Sequence, residues 1–226
     1  MSSRLPFALG EDRLRLLYRL PLSGAENSIL VLNAAGTSSG RLFSNDVRFV
    51  TRDSGQLVGA ESSAASAFDA VLLPGTLTSP ASASSGMTAR RLIALAHSAL
   101  KPGGVLVGHL DHVLAPRNVL AWTVGKQALK RAQAWRGFET ARRCVNSLHT
   151  VGFNDAECYY VEPNIGDPMA LISSDVHAAS THFVRTVRRN RPLYSPVGYL
   201  VRASLAQAGL GGLLQSHLFL WARKPC

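Results

Sequence analysis

Cysteine is scarce in this chain of 226 residues. Cys144, Cys158 and Cys226 are odd in number, widely spaced and in no CxxC arrangement, which argues against a disulfide framework and a cysteine-rich zinc site. Reduced, structural thiols are expected. No uninterrupted apolar run reaches the roughly 18 residues that a membrane-spanning helix needs, and Arg4, Glu11, Asp12 and Arg13 stand where a secretory leader would carry its apolar segment. The expectation is a cytoplasmic protein without a transmembrane segment. An RNA-recognition motif is also missing, which weakens nucleic acid as a partner. Acidic residues are few: fourteen Asp and Glu stand against twenty-four Lys and Arg. That shortage is local, because residues 1–86 hold seven of each sign whereas residues 87–226 hold seventeen basic and seven acidic residues. The whole net charge of +10 therefore belongs to the second part of the chain. A basic surface attracts nucleic acid, anionic lipid or an acidic substrate, although an arginine-rich composition alone produces the same balance.

What is present is apolar content sufficient for a core: 46% hydrophobic residues and a mean hydropathy of +0.09 mark a folded chain, and this length accommodates one α/β domain. The most legible stretch is Ala67 to Asp111. Phe68-Asp69-Ala70-Val71-Leu72-Leu73 is a short apolar run typical of a strand, and Leu92, Ile93, Leu95, Ala96 and Leu100 recur at helical spacing. Lys101-Pro102-Gly103-Gly104 then stops the helix with a cation at its C-terminus, a proline that cannot continue it and glycines that turn the chain. Val105 to Leu110 follows without polar alternation, as in a parallel strand covered on both faces.

Strand, helix, Leu-Lys-Pro-Gly-Gly turn and strand in this order resemble the second half of the class I S-adenosylmethionine (SAM)-dependent methyltransferase domain, bacterial type 11-like. Two later stretches extend the likeness: Leu148, Val151-Gly152-Phe153 and Ala156 to Val161, then the closing Leu218-Phe219-Leu220-Trp221-Ala222-Arg223-Lys224-Pro225. The resemblance implies an α/β fold, a Rossmann-like, mostly parallel sheet of six or seven strands with flanking helices and an antiparallel last strand. It also implies SAM as cofactor and methyl transfer to a small-molecule, glycan or lipid-linked acceptor. One domain is expected over residues 1–226, with an N-terminal cap at 1–27, a core at 28–172, a helical insertion at 173–212 and the final strand at 213–226.

The cofactor side of the resemblance is partial. Ser28 to Leu32 reads as the first strand, and Asn33-Ala34-Ala35-Gly36-Thr37-Ser38-Ser39-Gly40 occupies the place of the family's glycine-rich motif. Glycines there let the backbone approach a ligand; Gly36, Ser38 and Gly40 are the candidates, but the motif is degenerate and Asn33 replaces the usual acidic residue. Val47 to Thr51 reads as the next strand, and Asp53 at its end is the candidate acceptor for the ribose hydroxyls. A short third strand is expected at Gln56 to Glu61. The interval from Thr51 to Asp69 is too short for the helix, strand and adenine-contacting loop that the family places there. Pro74 would lie beside the cofactor at the end of the Phe68 strand.

His109 and His112 flank Asp111 where the Val105 strand ends, and an imidazole titrating near neutrality is suited to general base work. Metal binding is not expected, because neighbouring residues on an extended segment point to opposite faces. Val119 to Ser147 interleaves Lys126, Lys130, Arg131, Arg136, Arg142 and Arg143 with Trp122, Trp135 and Phe138, a pattern read as two helices with solvated faces. In the 173–212 insertion, Arg185, Arg188 and Arg189 share a helix face, a surface for a protein partner or for substrate selectivity. The altered first loop and the short interval support a second reading, a catalytically inactive methyltransferase-like binding or regulatory subunit.

Overall fold

Strand β1, Ser28–Asn33, carries Ile29, Leu30, Val31 and Leu32 in succession, and all four are buried. Burial of odd and even positions alike means that both faces of the sheet are covered there. The computed structural model describes residues 28–33, 48–53, 67–73, 88–112, 140–164, 167–215 and 217–226. The other strands are β2 Arg48–Asp53, β3 Phe68–Leu73, β4 Leu100–Asp111, β5 Asp155–Asn164, β6 Asp167–Ser173 and β7 His217–Arg223. They form one sheet in the order β2-β1-β3-β4-β7-β5-β6. Pairing is parallel from β2 through β4, whereas β7 runs antiparallel to both its neighbours. The mostly parallel α/β sheet with an antiparallel last strand is as expected. Strand β6, antiparallel to β5 at the sheet edge, is a second reversed strand. The expected short strand at 56–61, the cap at 1–27 and the basic segment up to residue 139 lie outside the described residues.

Helices α1, Ala89–Ala99, and α2, Ala141–Val151, cover one face. Each starts on a threonine whose side chain accepts from the backbone three residues on: Thr88 from Arg91 and Thr140 from Arg143, both at 3.2 Å. Leu92, Ile93, Ala96 and Ala99 of α1, with Ala141, Cys144 and Leu148 of α2, form the buried stripes against Leu30, Val71, Leu106 and Leu220. Cys144 and Cys158 are free and buried; a hydrogen bond with Cys158 and burial both push the Cys144 thiol up. Two further helices, α3 Val176–Arg189 and α4 Pro196–Gln207, follow β6. Their own small core of Ala179, Phe183, Val187 and Ala206 closes on Ile172 and Tyr160.

Charged groups fasten the amino edge of the parallel strands. Asp69 of β3 accepts from the Ser28 hydroxyl at 2.7 Å and the Ser28 amide at 3.0 Å, and pairs with Lys101 at 2.8 Å. Burial pushes this carboxyl up, but the hydrogen bonds and charge of Lys101 and the bonds from Ser28 outweigh it, leaving it below its ordinary value. One carboxylate thus ties β1, β3 and the start of β4. Lys101 therefore does not serve the carbonyls at the end of α1, as the sequence suggests. Lys224 does so instead, its ammonium 2.9 Å from the His97 carbonyl and 2.6 Å from that of Leu100. Gly103, at φ +74°, adopts the left-handed conformation open to glycine, and its amide donates to the carbonyls of Lys224 and Pro225.

Replacing Asp69 by alanine removes three bonds at a half-buried site and is expected to cost about 1–3 kcal/mol. Asp69→Asn, which keeps an acceptor for Ser28 and loses the ion pair, should cost less. Because the folded pKa is depressed, the carboxylate's contribution is present above the ordinary carboxylate range and disappears as pH falls through the folded value. Thermal melts of both variants at neutral and acidic pH check this; an Asp69→Ala protein that melts like the wild type at neutral pH would contradict the clamp.

A second prediction concerns the short 3-10 helix Gly211–Leu214, which passes over the small core of α3 and α4. A Cβ on Gly211 would stand 2.6 Å from Phe183 Cβ, and one on Gly212 would collide with the Tyr160 ring. Gly212→Ala is expected to destabilise by about 1–3 kcal/mol, read as a fall in melting temperature of a few degrees.

Candidate functional site

The chain passes from β1 to β2 on one side and from β2 to β3 on the other, so strand order switches direction between β1 and β3. Open α/β sheets bind ligands outside the carboxyl ends of the strands at such a point. At that edge β1 ends on Asn33 and β2 on Asp53, and these two residues are register partners. Strand β3 ends on Leu73, beside Gly108 of β4. Strand β7 runs the other way and begins at the same edge, where His217 pairs with Asp111.

Of the residues singled out from sequence, Asp53 is the terminal residue of β2, next to the end of β1. Gly36, Ser38 and Gly40, which follow β1 in the chain, and Pro74, which follows β3, lie outside the described residues. His109 and His112 are both at the carboxyl end of β4, but they face different surroundings. His109 is half-buried and sits opposite Phe219 of β7. Strand alternation puts it on the face of Val105 and Val107, which pack with Ile29, Val31, Ala70 and Leu72.

His112 is only 1% exposed. Its ring lies 5.8 Å from that of Tyr160, a side chain that packs against the α1–α2 side of the sheet and against the core of α3 and α4. Its Nδ1 is 3.0 Å from the Gln215 carbonyl oxygen. A carbonyl only accepts, so Nδ1 carries the proton and Nε2 is the basic nitrogen. Burial pushes the His112 pKa down, against hydrogen bonds to the backbone of Gln215 and Gly212 that push it up. The result is a neutral imidazole at physiological pH, held between β4, Tyr160 and the segment after α4.

Sequence reasoning did not single out Tyr160 or Gln215 as neighbours of His112; the separations are 48 and 103 residues, and no local pattern joins them. It also missed the pair of Glu162 in β5 and His182 in α3, whose side chains meet at 2.7 Å. Thr186 joins that pair at 3.2 Å from His182. These groups connect α3 to the sheet through polar contacts beside the apolar contacts of Phe183.

The chain matches no family model and no curated protein. Among solved structures it is similar to a SAM-dependent methyltransferase from Archaeoglobus fulgidus, at 13% identity and a TM-score of 0.51, over 96% of this chain and 93% of that one. A putative methyltransferase from Bacillus halodurans is 16% identical with a TM-score of 0.48, over 95% and 100% of the two chains. Phosphoethanolamine N-methyltransferase 2 from Haemonchus contortus, solved with SAM, is 13% identical with a TM-score of 0.46 over 89% of this chain. The chain spans about half the length of that protein, 49% of it. The Archaeoglobus comparison is nearly complete over both chains, and the two share a fold: a Rossmann-like, mostly parallel α/β sheet with flanking helices.

Proposed function

We propose that the protein is a SAM-dependent methyltransferase acting on a small-molecule, glycan or lipid-linked acceptor. The observation that carries this reading is the switch in strand order, with the ends of β1 and β2 in register at Asn33 and Asp53. The donor set suits the cofactor: a carboxylate at the end of β2 can accept from ribose hydroxyls, and Gly36, Ser38 and Gly40 follow β1 where a backbone must approach a ligand. Pro74 follows β3 and would flank the cofactor. Bound SAM supplies an electrophilic methyl on a sulfonium; the chain's own task is to orient the acceptor in line and exclude water. Where the acceptor must lose a proton, His109 or His112 takes it. Of the two histidines, the base is the one whose replacement by glutamine lowers kcat by about 100-fold or more at saturating acceptor.

A second reading has specific support. Asn33 stands where the resemblance calls for an acidic residue, and only fourteen residues connect Asp53 to Phe68. A methyltransferase-like subunit that binds or regulates without cofactor would tolerate both features.

Calorimetry and thermal shift with SAM and S-adenosylhomocysteine separate the readings. Binding of both, lost in Gly36→Val and Asp53→Ala, is expected. No heat and no shift at millimolar cofactor would leave the inactive subunit as the correct reading.

The His112 environment gives an independent pH prediction. A histidine with a depressed folded pKa binds fewer protons folded than unfolded, so stability declines as pH drops below about 6.5. His97 is lowered in the same direction, by burial and by the charge of Lys224. The melting temperature is expected to fall between pH 7.5 and 5.5, and His112→Gln should remove part of that fall. An unchanged slope in the variant would show that His112 is not held neutral by the fold.

A further inference from the structure

Helix α4 reverses the usual distribution of side chains. Its packed positions are Tyr199, Arg202, Ala203 and Ala206, while Val197, Leu200, Val201 and Ser204 face outward at helical spacing. Val197 is 71% exposed, Leu200 63% and Val201 53%, and Leu193 just before the helix is 79% exposed. A helix apolar on both faces needs a second apolar medium for its outer one.

The surrounding charge says which medium. Residues 176–215 contain five arginines and no aspartate or glutamate. Arg185, Arg188 and Arg189 are exposed on α3 and at its C-terminal end, which leads directly through Arg191 and Leu193 into α4. Arg191 lies over the Tyr199 ring at 5.3 Å and Arg202 over Tyr194 at 4.9 Å, contacts that tie the link between α3 and α4 to the packed side of α4. Nucleic acid would match the arginines and leave the aliphatic row in water. Face-to-face pairing of two copies would bring like charges together. An anionic bilayer surface satisfies both properties, taking aliphatic side chains into the acyl boundary and arginines onto lipid phosphates.

We propose that α4 and the adjoining end of α3 form a docking face for an anionic membrane surface, with Leu193, Val197, Leu200 and Val201 inserted and Arg185, Arg188, Arg189 and Arg191 on the headgroups. The helix lies in the interface. At 12 residues it is about 18 Å long, and no helix among the described residues is long and apolar enough to cross a membrane. Docking is separate from cofactor binding, so either property can be present without the other.

The test is co-sedimentation of the full chain with phosphatidylcholine vesicles, with and without about one-third phosphatidylglycerol, at low and high salt. Binding to the anionic vesicles is expected, weakened by salt. Arg188→Glu with Arg189→Glu should reduce the affinity at least about tenfold, and Leu200→Glu with Val201→Glu should abolish it while the melting temperature stays within a few degrees, since these side chains are exposed. No binding to anionic vesicles at low salt overturns the proposal, as does binding that the Leu200 and Val201 replacements leave intact. Light scattering supplies the remaining outcome: a dimer that those replacements dissociate, without vesicle binding, assigns the face to a second copy and also overturns it.

Discussion

The sheet depends on its last strand. Strands β4 and β5 do not pair with each other; β7 lies between them, seven residues in register with β4 and six with β5. Until residues 217–223 arrive, β5 and β6 with the helices that follow them have no attachment to the parallel strands through the sheet. The strand is then locked by what comes next. Lys224 spans from the end of β7 to two carbonyls at the end of α1, its amide donates to the Gly104 carbonyl, and its own carbonyl accepts from Gly103. Burial pushes the Lys224 ammonium pKa down, so its two short bonds to carbonyls replace lost hydration.

The helix stop at Lys-Pro-Gly-Gly is legible because it is local, although residues 101–104 do not form a turn ahead of the strand: β4 already begins at Leu100, with a shift of register against β3. Helix stop, proline and two glycines constrain the backbone wherever they occur, and Phe68 to Leu73 could hardly be anything but a buried strand beside it. Yet the partner of each charged side chain in that region was not local. Lys101 reads naturally as the cation at the end of α1, and in the fold it turns to Asp69, thirty-two residues earlier, while a lysine from the far end of the chain takes the helix. Periodicity indicates which face a side chain occupies; it carries no information about which of several reachable partners wins.

The candidate site divides along similar lines. That Asp53 ends a strand beside the end of β1 follows from short-range pattern and parallel order. His109 and His112 look like one constellation in the sequence because they are three residues apart. Strand alternation separates them: one lies on the face of Val105 and Val107, opposite Phe219, and the other is enclosed by Tyr160 of β5 and the segment after α4. The edge strand β6 was hidden in the run Glu162 to Ile172, where two prolines and Gly166 disguise a hairpin whose register shifts beside Pro163.

The 173–212 stretch has an inward and an outward consequence, and a single geometric fact links them. Phe183, Val187 and Ala206 turn toward Ile172 and Tyr160, and the return segment Gly211–Leu214 is pressed so closely on Phe183 and Tyr160 that only glycine fits at its first two positions. That segment delivers the Gln215 carbonyl to His112. The small apolar side chains of α4, Ala203 and Ala206, suffice for this inner contact, so the larger aliphatics at Val197, Leu200 and Val201 are not consumed by it. A helix that served only to brace His112 would carry polar residues at those outer positions, as α2 does with Arg142, Arg143 and Asn146. Among the described residues, the core leaves that aliphatic outer row exposed. Tyr160 packs both in the sheet core and in the core of α3 and α4, and its ring lies 5.8 Å from that of His112, so α4 and the histidine at the end of β4 share one side chain as a neighbour.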